Sequence, residues 1–132
     1  MRPTADETDR ANGLSREVIG AAIEVHRHLG PGLLESAYQA SLEKELELRD
    51  IPFDRQVPLP VEYKGVRLDC GYQMDLAVGG LVVVELKAVE KLEPIHEAQL
   101  LTYLRLSKRW LGMLINFNVT VLKDGVRRRV LD

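Results

Sequence analysis

Two acidic residues and a lysine near the middle of the chain, Asp75, Glu85 and Lys87, have types and spacing that suit a catalytic site. Gly79-Gly80 predicts a tight turn, and a hairpin centred on it places Asp75 beside residue 84 or 85 of the next strand. That strand is predicted from Leu81 to Ala88, and residues two apart share one of its faces. Glu85 and Lys87 therefore interrupt a face that begins with apolar residues.

The chemistry of this group depends on its two carboxylates. Neighbouring carboxylates repel each other unless one takes up a proton or both share a cation. Oxygen ligands without a cysteine favour Mg²⁺ or Mn²⁺ over zinc. The adjacent lysine is a fixed positive charge that suits an attacking water or the charge developing on a phosphate. The alternative is structural: Glu85 and Lys87 form an ion pair where the strand emerges into solvent.

The elements that must position these residues follow from the spacing of the apolar residues. This spacing is helical in the first part of the chain and alternates after Pro52, which predicts strands. Residues 1–12 are expected to form a flexible tail, followed by a single domain over 13–132. Asn12 is the expected N-cap of the first helix. The predicted order is helices at 14–28 and 34–49, an edge strand with two prolines at 57–63, strands at 66–78 and 81–88, a helix at 94–107, and strands at 110–117 and 126–130.

Composition narrows the class of protein. The chain has 132 residues, of which 45% are hydrophobic, so one domain with its own core is expected and disorder is excluded. A net charge of −2 excludes a strongly basic nucleic-acid coat protein. Cys70, the single cysteine, is expected to be a small core residue in a reducing compartment. Without a signal peptide or an apolar run of about 20 residues, a cytoplasmic domain that does not enter a membrane is expected.

Three motifs give the chain a family resemblance. Asp75, Glu85 and Lys87 form D-x(9)-E-x-K, which resembles the active-site motif of the PD-(D/E)XK nuclease superfamily. The segment from Gln99 to Tyr103 resembles the Q-x-x-x-Y helix of its RecB-like branch. The segment 32–38 is G-x-x-E-x-x-Y and resembles the signature of the small GxxExxY proteins of that superfamily. The resemblance implies an α/β, restriction-endonuclease-like fold with a mixed central sheet flanked by helices.

The resemblance also implies roles for individual residues. The implied metal ligands are Asp75, Glu85, the Leu86 carbonyl and Glu35; the catalytic residues are Asp75, Glu85, Lys87 and Gln99; the substrate-binding residues are Gln99, Tyr103 and His96. The metal is Mg²⁺ or Mn²⁺. Structural alternatives remain, because the helix macrodipole favours an acid at Glu35 and a polar row on a helix can simply be solvated. For Tyr38, core packing is the preferred interpretation.

The predicted function is metal-dependent hydrolysis of phosphodiester bonds in nucleic acid. The alternative is a module of low or no activity on the same fold that binds nucleic acid or a protein, which the net negative charge favours. Arg127 and Arg129 share a face of the last strand and are candidates to contact phosphates, although charge also protects an edge strand from aggregation. A homodimer through the edge strand at 57–63 is compatible with both functions.

Overall fold

The computed structural model describes residues 3–131. In chain order the elements are α1 (Ala5–Leu29), α2 (Glu35–Leu48), β1 (Phe53–Pro58), β2 (Val61–Tyr63), β3 (Val66–Leu68), β4 (Gln73–Val78), β5 (Val82–Lys87), α3 (Pro94–Ser107), β6 (Leu111–Asn116), a 3-10 turn (Leu122–Gly125) and β7 (Val126–Val130). In this range, no helix combines the length and the apolar character that crossing a membrane requires.

Five strands form one mixed sheet in the order β1-β4-β5-β6-β7. β5 and β6 are parallel and are connected through α3, whereas the other neighbouring pairs are antiparallel. β2 and β3 form a separate antiparallel hairpin. Helices pack on both faces of the main sheet, so the predicted α/β architecture is confirmed.

The core has two parts, one on each face of the main sheet. α1 and α2 cover a cluster that includes Val82, Val84 and Leu86 of β5. α3 covers a smaller cluster that includes Val83. β5 is therefore buried on both faces, as expected of a central strand. Burial of each such side chain contributes about 1.5–3 kcal/mol, which makes this strand a firm base for the polar residues at its carboxyl end.

The first helix begins earlier than the apolar spacing predicts. It starts at Ala5, and its N-cap is Thr4 rather than Asn12. The Thr4 hydroxyl accepts from the Glu7 backbone N–H, and the Glu7 carboxylate accepts from the Thr4 N–H. This capping box satisfies backbone donors at the helix start. Residues 5–12, expected to belong to a tail, are consequently helical, and Ala11 is buried in the core; residues 1 and 2 lie outside the described range.

Two predicted strands are each divided in two. The strand predicted at 57–63 ends at Pro58 as β1 and resumes at Val61 as β2, because proline cannot donate to a ladder. β1 does lie at the edge of the main sheet, as predicted. The strand predicted at 66–78 is divided into β3 and β4 by a loop in which Gly71 has a positive φ. Cys70 is exposed in this loop, so its assignment to the core is wrong.

Candidate active site

Asp75 and Glu85 lie side by side at the end of the β4–β5 hairpin that is remote from its turn. The last regular pair of the ladder is Leu76 with Val84, which places Asp75 opposite Glu85. Beyond this pair, carboxylates replace backbone carbonyls as hydrogen-bond acceptors. Glu85 Oε2 accepts from the Asp75 N–H at 2.7 Å, and Asp75 Oδ2 accepts from the Leu86 N–H at 2.8 Å. The two acids are thus built into the hairpin backbone.

β4 is irregular at Asp75. Met74 packs beneath α3 whereas Leu76 packs beneath α1 and α2, so residues two apart do not share a face here. Gln56, which lies opposite on β1, has a φ of 46°. Gln39 of α2 donates from Nε2 to the Asp75 carbonyl at 3.2 Å. The backbone of Asp75 is therefore held by side chains from both α2 and β5.

Burial makes ionisation of this pair costly. Glu85 is 4% exposed, and burial together with the negative charge of Asp75 raises the pKa of Glu85 to about 8. Burial also raises the pKa of Asp75, while the Leu86 N–H and the Lys87 ammonium act in the opposite direction. At neutral pH the pair therefore favours a bound proton, or a cation in its place.

Glu35 brings a third carboxylate to this pair from the first turn of α2. Burial and the negative charge of Asp75 raise the pKa of Glu35, and the positive charge of Lys87 lowers it. Glu35 in turn adds to the raised pKa of Glu85. Three acids and a lysine thus interact at one place. Glu35 also lies at the start of α2, where the helix macrodipole favours an acid, as the structural interpretation of this residue requires.

Lys87 ends β5 and reaches toward α3. Its Nζ donates to Oε1 of Gln99 at 3.4 Å. Its carbonyl accepts from the Phe117 N–H at 3.0 Å, which fixes the end of the strand. Two of the residues expected to be catalytic, Lys87 and Gln99, are therefore in contact beside the carboxylate pair.

A protein-family model matches most of the chain. This model, of the PD-(D/E)XK nuclease superfamily, covers residues 12–129. The chain belongs to this superfamily. Members of the superfamily generally hydrolyse phosphodiester bonds in nucleic acids and typically use divalent metal ions. No curated protein and no solved structure matches the chain significantly.

The superfamily's preference for divalent ions fits the donors present. The candidate ligands are carboxylate oxygens of Asp75, Glu85 and Glu35, which suit a hard divalent cation. Within residues 3–131, however, no three His, Cys, Asp or Glu side chains are arranged to hold a metal ion. The carboxylates of Asp75 and Glu85 therefore suit a divalent ion, and Glu35 is nearby. Side-chain movement is required for all three to coordinate one ion.

The loop before Glu35 is held in place by Tyr38. The Tyr38 hydroxyl donates to the Gly30 carbonyl at 2.5 Å and accepts from the Leu33 N–H at 3.2 Å. The ring is fully buried and stacks on Phe117 with centroids 4.6 Å apart. Tyr38 is thus packed in the core, and its hydroxyl also fixes the loop that leads to the candidate ligand Glu35.

Three predicted substrate-binding residues, His96, Gln99 and Tyr103, lie on α3 and border one cavity. His96 also caps its helix, because its Nδ1 accepts from the Glu93 backbone N–H at 2.9 Å. Tyr103 is 6% exposed, and burial followed by the negative charge of Glu85 raises its pKa. The three predicted residues therefore lie together at one cavity. His96 also caps α3, and Tyr103 is also packed in the protein.

Two asparagines that support the site were missed in the sequence. Asn116 is buried at the end of β6, where its side chain accepts from the Val89 N–H at 3.0 Å and donates to the Val89 carbonyl at 2.9 Å. It thereby fixes the segment that follows β5. Asn118 accepts from the Gly32 N–H at 3.1 Å and ties down the loop before α2. Asn116 could have been identified from the sequence, because it is a polar residue inside the apolar run at 110–117.

The arginines of β7 are engaged in contacts within the protein. Arg129 forms an ion pair with Glu97 of α3, and Arg128 donates to the side chain of Asn12. Arg127 donates to nearby backbone carbonyls. Arg127 and Arg129 are consequently less available to phosphates than their shared face in the sequence predicts.

Proposed function

We propose that this domain hydrolyses phosphodiester bonds in nucleic acid with a divalent cation, Mg²⁺ or Mn²⁺. The observation that carries the proposal is the carboxylate pair of Asp75 and Glu85, each accepting from the other's strand, with Lys87 beside it. Buried carboxylates repel phosphate, so they give a pure binding surface no advantage. With a cation they form a site where a phosphate binds and reacts.

Asp75, Glu85, the Leu86 carbonyl and Glu35 are proposed to hold the cation. A bound divalent cation supplies a Lewis acid and lowers the pKa of water. The backbone hydrogen bonds engage Oδ2 of Asp75 and Oε2 of Glu85, so Oδ1 and Oε1 are the atoms proposed to bind. Those bonds fix the orientation of both carboxylates before a cation arrives, as supporting partners do in metal sites.

Lys87 is proposed to orient the attacking water or to stabilise the charge that develops on the phosphate. Its ammonium donates to Gln99 Oε1, so its position is set before substrate binds. A preorganised positive charge of this kind contributes most in the transition state. Gln99 is proposed to hold Lys87 and to position water or phosphate with its amide group.

The finer assignment to the GxxExxY proteins and the RecB-like branch is part of this proposal. Support for the first comes from Tyr38, whose hydroxyl fixes the loop before the motif's glutamate, Glu35. Support for the second comes from Gln99 and Tyr103, which border the same cavity as Lys87.

A second candidate function is binding of nucleic acid or a protein without turnover. The observation in its favour is the engagement of Arg128 and Arg129 by Asn12 and Glu97, which leaves fewer cations for a long phosphate backbone. A homodimer through the edge strand β1 is compatible with either function.

A cleavage screen distinguishes the two functions. Labelled single- and double-stranded DNA and RNA are incubated with the protein and Mg²⁺, Mn²⁺ or a chelator. Metal-dependent cleavage is expected for the wild type and should be lost in Glu85→Gln, because a ligand is removed. Glu47→Gln, which changes an exposed glutamate of α2, is the matched control and should cleave like the wild type. Binding without cleavage on every substrate would favour the second function.

A further inference from the structure

A cavity of about 520 Å³ lies beside Lys87, between α3 and the loop that precedes β4. Its volume falls in the range of ligand cavities, about 300–1,000 Å³. Lys87 and Gln99 contribute polar groups, while Tyr72, Tyr103 and Ile95 contribute aromatic and aliphatic surface. The cavity therefore joins the proposed catalytic groups to an apolar surface that the reaction itself does not require.

Tyr72 is the aromatic residue of this cavity that is open to a ligand. It is 47% exposed, whereas Tyr103 is 6% exposed. The two rings meet edge to face with centroids 6.3 Å apart. The Tyr72 carbonyl also accepts from the Leu59 N–H at 2.8 Å. The hydrogen bond holds the backbone of Tyr72 and the ring contact holds its side chain beside α3, while about half of the residue stays accessible.

The chemistry of the cavity matches an anion joined to a flat apolar group. An anion attracted to the Lys87 ammonium places whatever it carries against Tyr72 and Ile95. A nucleotide has this combination, since its phosphate is joined to a planar base that stacks on aromatic side chains. In a duplex the base faces are covered by neighbouring base pairs, so only an unpaired strand offers one.

We propose that this cavity binds one unstacked nucleobase of a single-stranded nucleic acid, with Tyr72 as the stacking residue and the adjoining phosphate at Lys87. The inference rests on the proposed nuclease function and adds that the substrate is single-stranded. The contacts of Arg128 and Arg129 within the protein agree with it. A duplex bound along its backbone needs several available cations, whereas one base and one phosphate need few.

Binding measured in a chelator, where cleavage cannot occur, tests the inference. Fluorescence anisotropy of labelled oligothymidylate, oligodeoxyadenylate and their duplex is recorded with the wild type, Tyr72→Ala, Tyr72→Phe and Tyr63→Ala. Tyr63 provides the matched control, because it is a 59% exposed tyrosine of β2 that is not among the residues lining the cavity. Thermal melts verify that each variant is folded, and Tyr72→Phe keeps the aromatic ring.

Tighter binding of the single strands than of the duplex is expected for the wild type. Tyr72→Ala should weaken single-strand binding by roughly 5- to 150-fold, the range for one stacked base. Tyr72→Phe and Tyr63→Ala should bind like the wild type.

Three outcomes would overturn the inference: duplex binding as tight as single-strand binding, no single-strand binding, or equal effects of Tyr72→Ala and Tyr63→Ala. Single-strand binding that depends on Tyr72, without metal-dependent cleavage, would support this inference and contradict only the proposed hydrolysis.

Discussion

The two ends of the β4–β5 hairpin share one register and differ in what they contribute. At the turn end, Val78 pairs with Val82 and both side chains are fully buried. At the open end, Asp75 and Glu85 continue the register, but their carboxylates accept the backbone N–H groups. The turn end contributes apolar burial, whereas the open end keeps charge-bearing groups where burial opposes ionisation. Apolar stabilisation and the proposed chemistry are thus separated along a single hairpin.

The largest expected effect lies at the open end of β5. Lys87→Ala should lower the cleavage rate by roughly 10²–10³, because it removes a charge proposed to act in the transition state. Nucleic-acid binding should weaken by a smaller factor, because the phosphate contact proposed at Lys87 is lost while the stacking on Tyr72 stays. The melting temperature should change little, since Lys87 is only partly buried. Single-turnover cleavage, anisotropy and thermal melts measure the three quantities.

Val82→Ala tests the turn end of the hairpin in the same experiment. Because Val82 is fully buried at the turn end, its truncation should lower the free energy of unfolding by about 1.5–3 kcal/mol and leave cleavage per folded molecule unchanged. If Lys87→Ala instead destabilises the protein without slowing cleavage, Glu85 and Lys87 are a structural ion pair and the separation of the two ends fails.

The next effect concerns the carboxylates of the open end. Mg²⁺ or Mn²⁺ at about 100 times its dissociation constant should raise the free energy of unfolding by roughly 2.7 kcal/mol, because the ion binds only the folded protein. Thermal melts with metal and with chelator measure this increment. Glu85→Gln should abolish it, and the exposed control Glu47→Gln should retain it. An unchanged wild-type midpoint at millimolar metal contradicts the proposed cation site.

An effect of pH is expected from the same pair, because burial and the negative charge of Asp75 outweigh the Asp75 N–H and the Lys87 charge, which favour the ionised form of Glu85. The pKa of Glu85 is about 8 in the folded protein and 4.5 in its ordinary state. Between these values the folded state binds more protons than the unfolded state, so this residue's contribution to the free energy of unfolding falls as pH rises.

Glu85→Gln has no titrating group at position 85 and should reduce this pH dependence in chelator, while Asp75 and Glu35, whose pKa values are also raised, retain their share of it. Urea unfolding at a series of pH values measures the slope for the wild type and for the variant. Identical slopes for the wild type and the variant would show that Glu85 is ionised in the folded protein. Burial at the open end would then oppose ionisation less than the position of Glu85 indicates.

Local sequence signals predicted the elements that frame the hairpin. α3 begins at Pro94 and ends at Ser107 as predicted, because proline suits a first helical turn and marks the start. The hairpin follows from Gly79-Gly80, both of which have positive φ. The start of α1 was also encoded locally, in the capping box of Thr4 and Glu7, but the apolar periodicity on which the prediction relied begins only later.

The proximity of the candidate residues was easier to predict than the contacts that hold them in place. Asp75, Glu85 and Lys87 belong to one hairpin, so a single turn brings them together. Gln39 and Asn116 act across 36 and 27 positions of the chain, on Asp75 and Val89 respectively. The apolar run at 110–117 makes Asn116 conspicuous, but no local signal gives the partner of either residue, because these contacts arise only when helices and strands have packed.

The smallest expected effect lies at Gln39, which reaches the open end from α2. Its Nε2 donates to the Asp75 carbonyl at 3.2 Å and to Oε2 of Glu43 at 3.1 Å. Gln39→Leu keeps a similar volume and removes both bonds, so the free energy of unfolding should fall by about 0.5–1.5 kcal/mol for each bond. The same change should weaken metal binding about tenfold, the low end of the range for residues that orient ligands.

The metal dependence of the melting temperature measures both quantities for Gln39→Leu. Gln73→Leu, which changes an exposed glutamine at the start of β4, is the matched control and should leave the metal affinity unchanged. Because Asp75 O accepts from Gln39 while Asp75 N–H donates to Glu85, loss of the first bond should loosen the second. If Gln39→Leu binds the metal as tightly as the wild type does, the hairpin alone orients Asp75, and α2 does not support the open end.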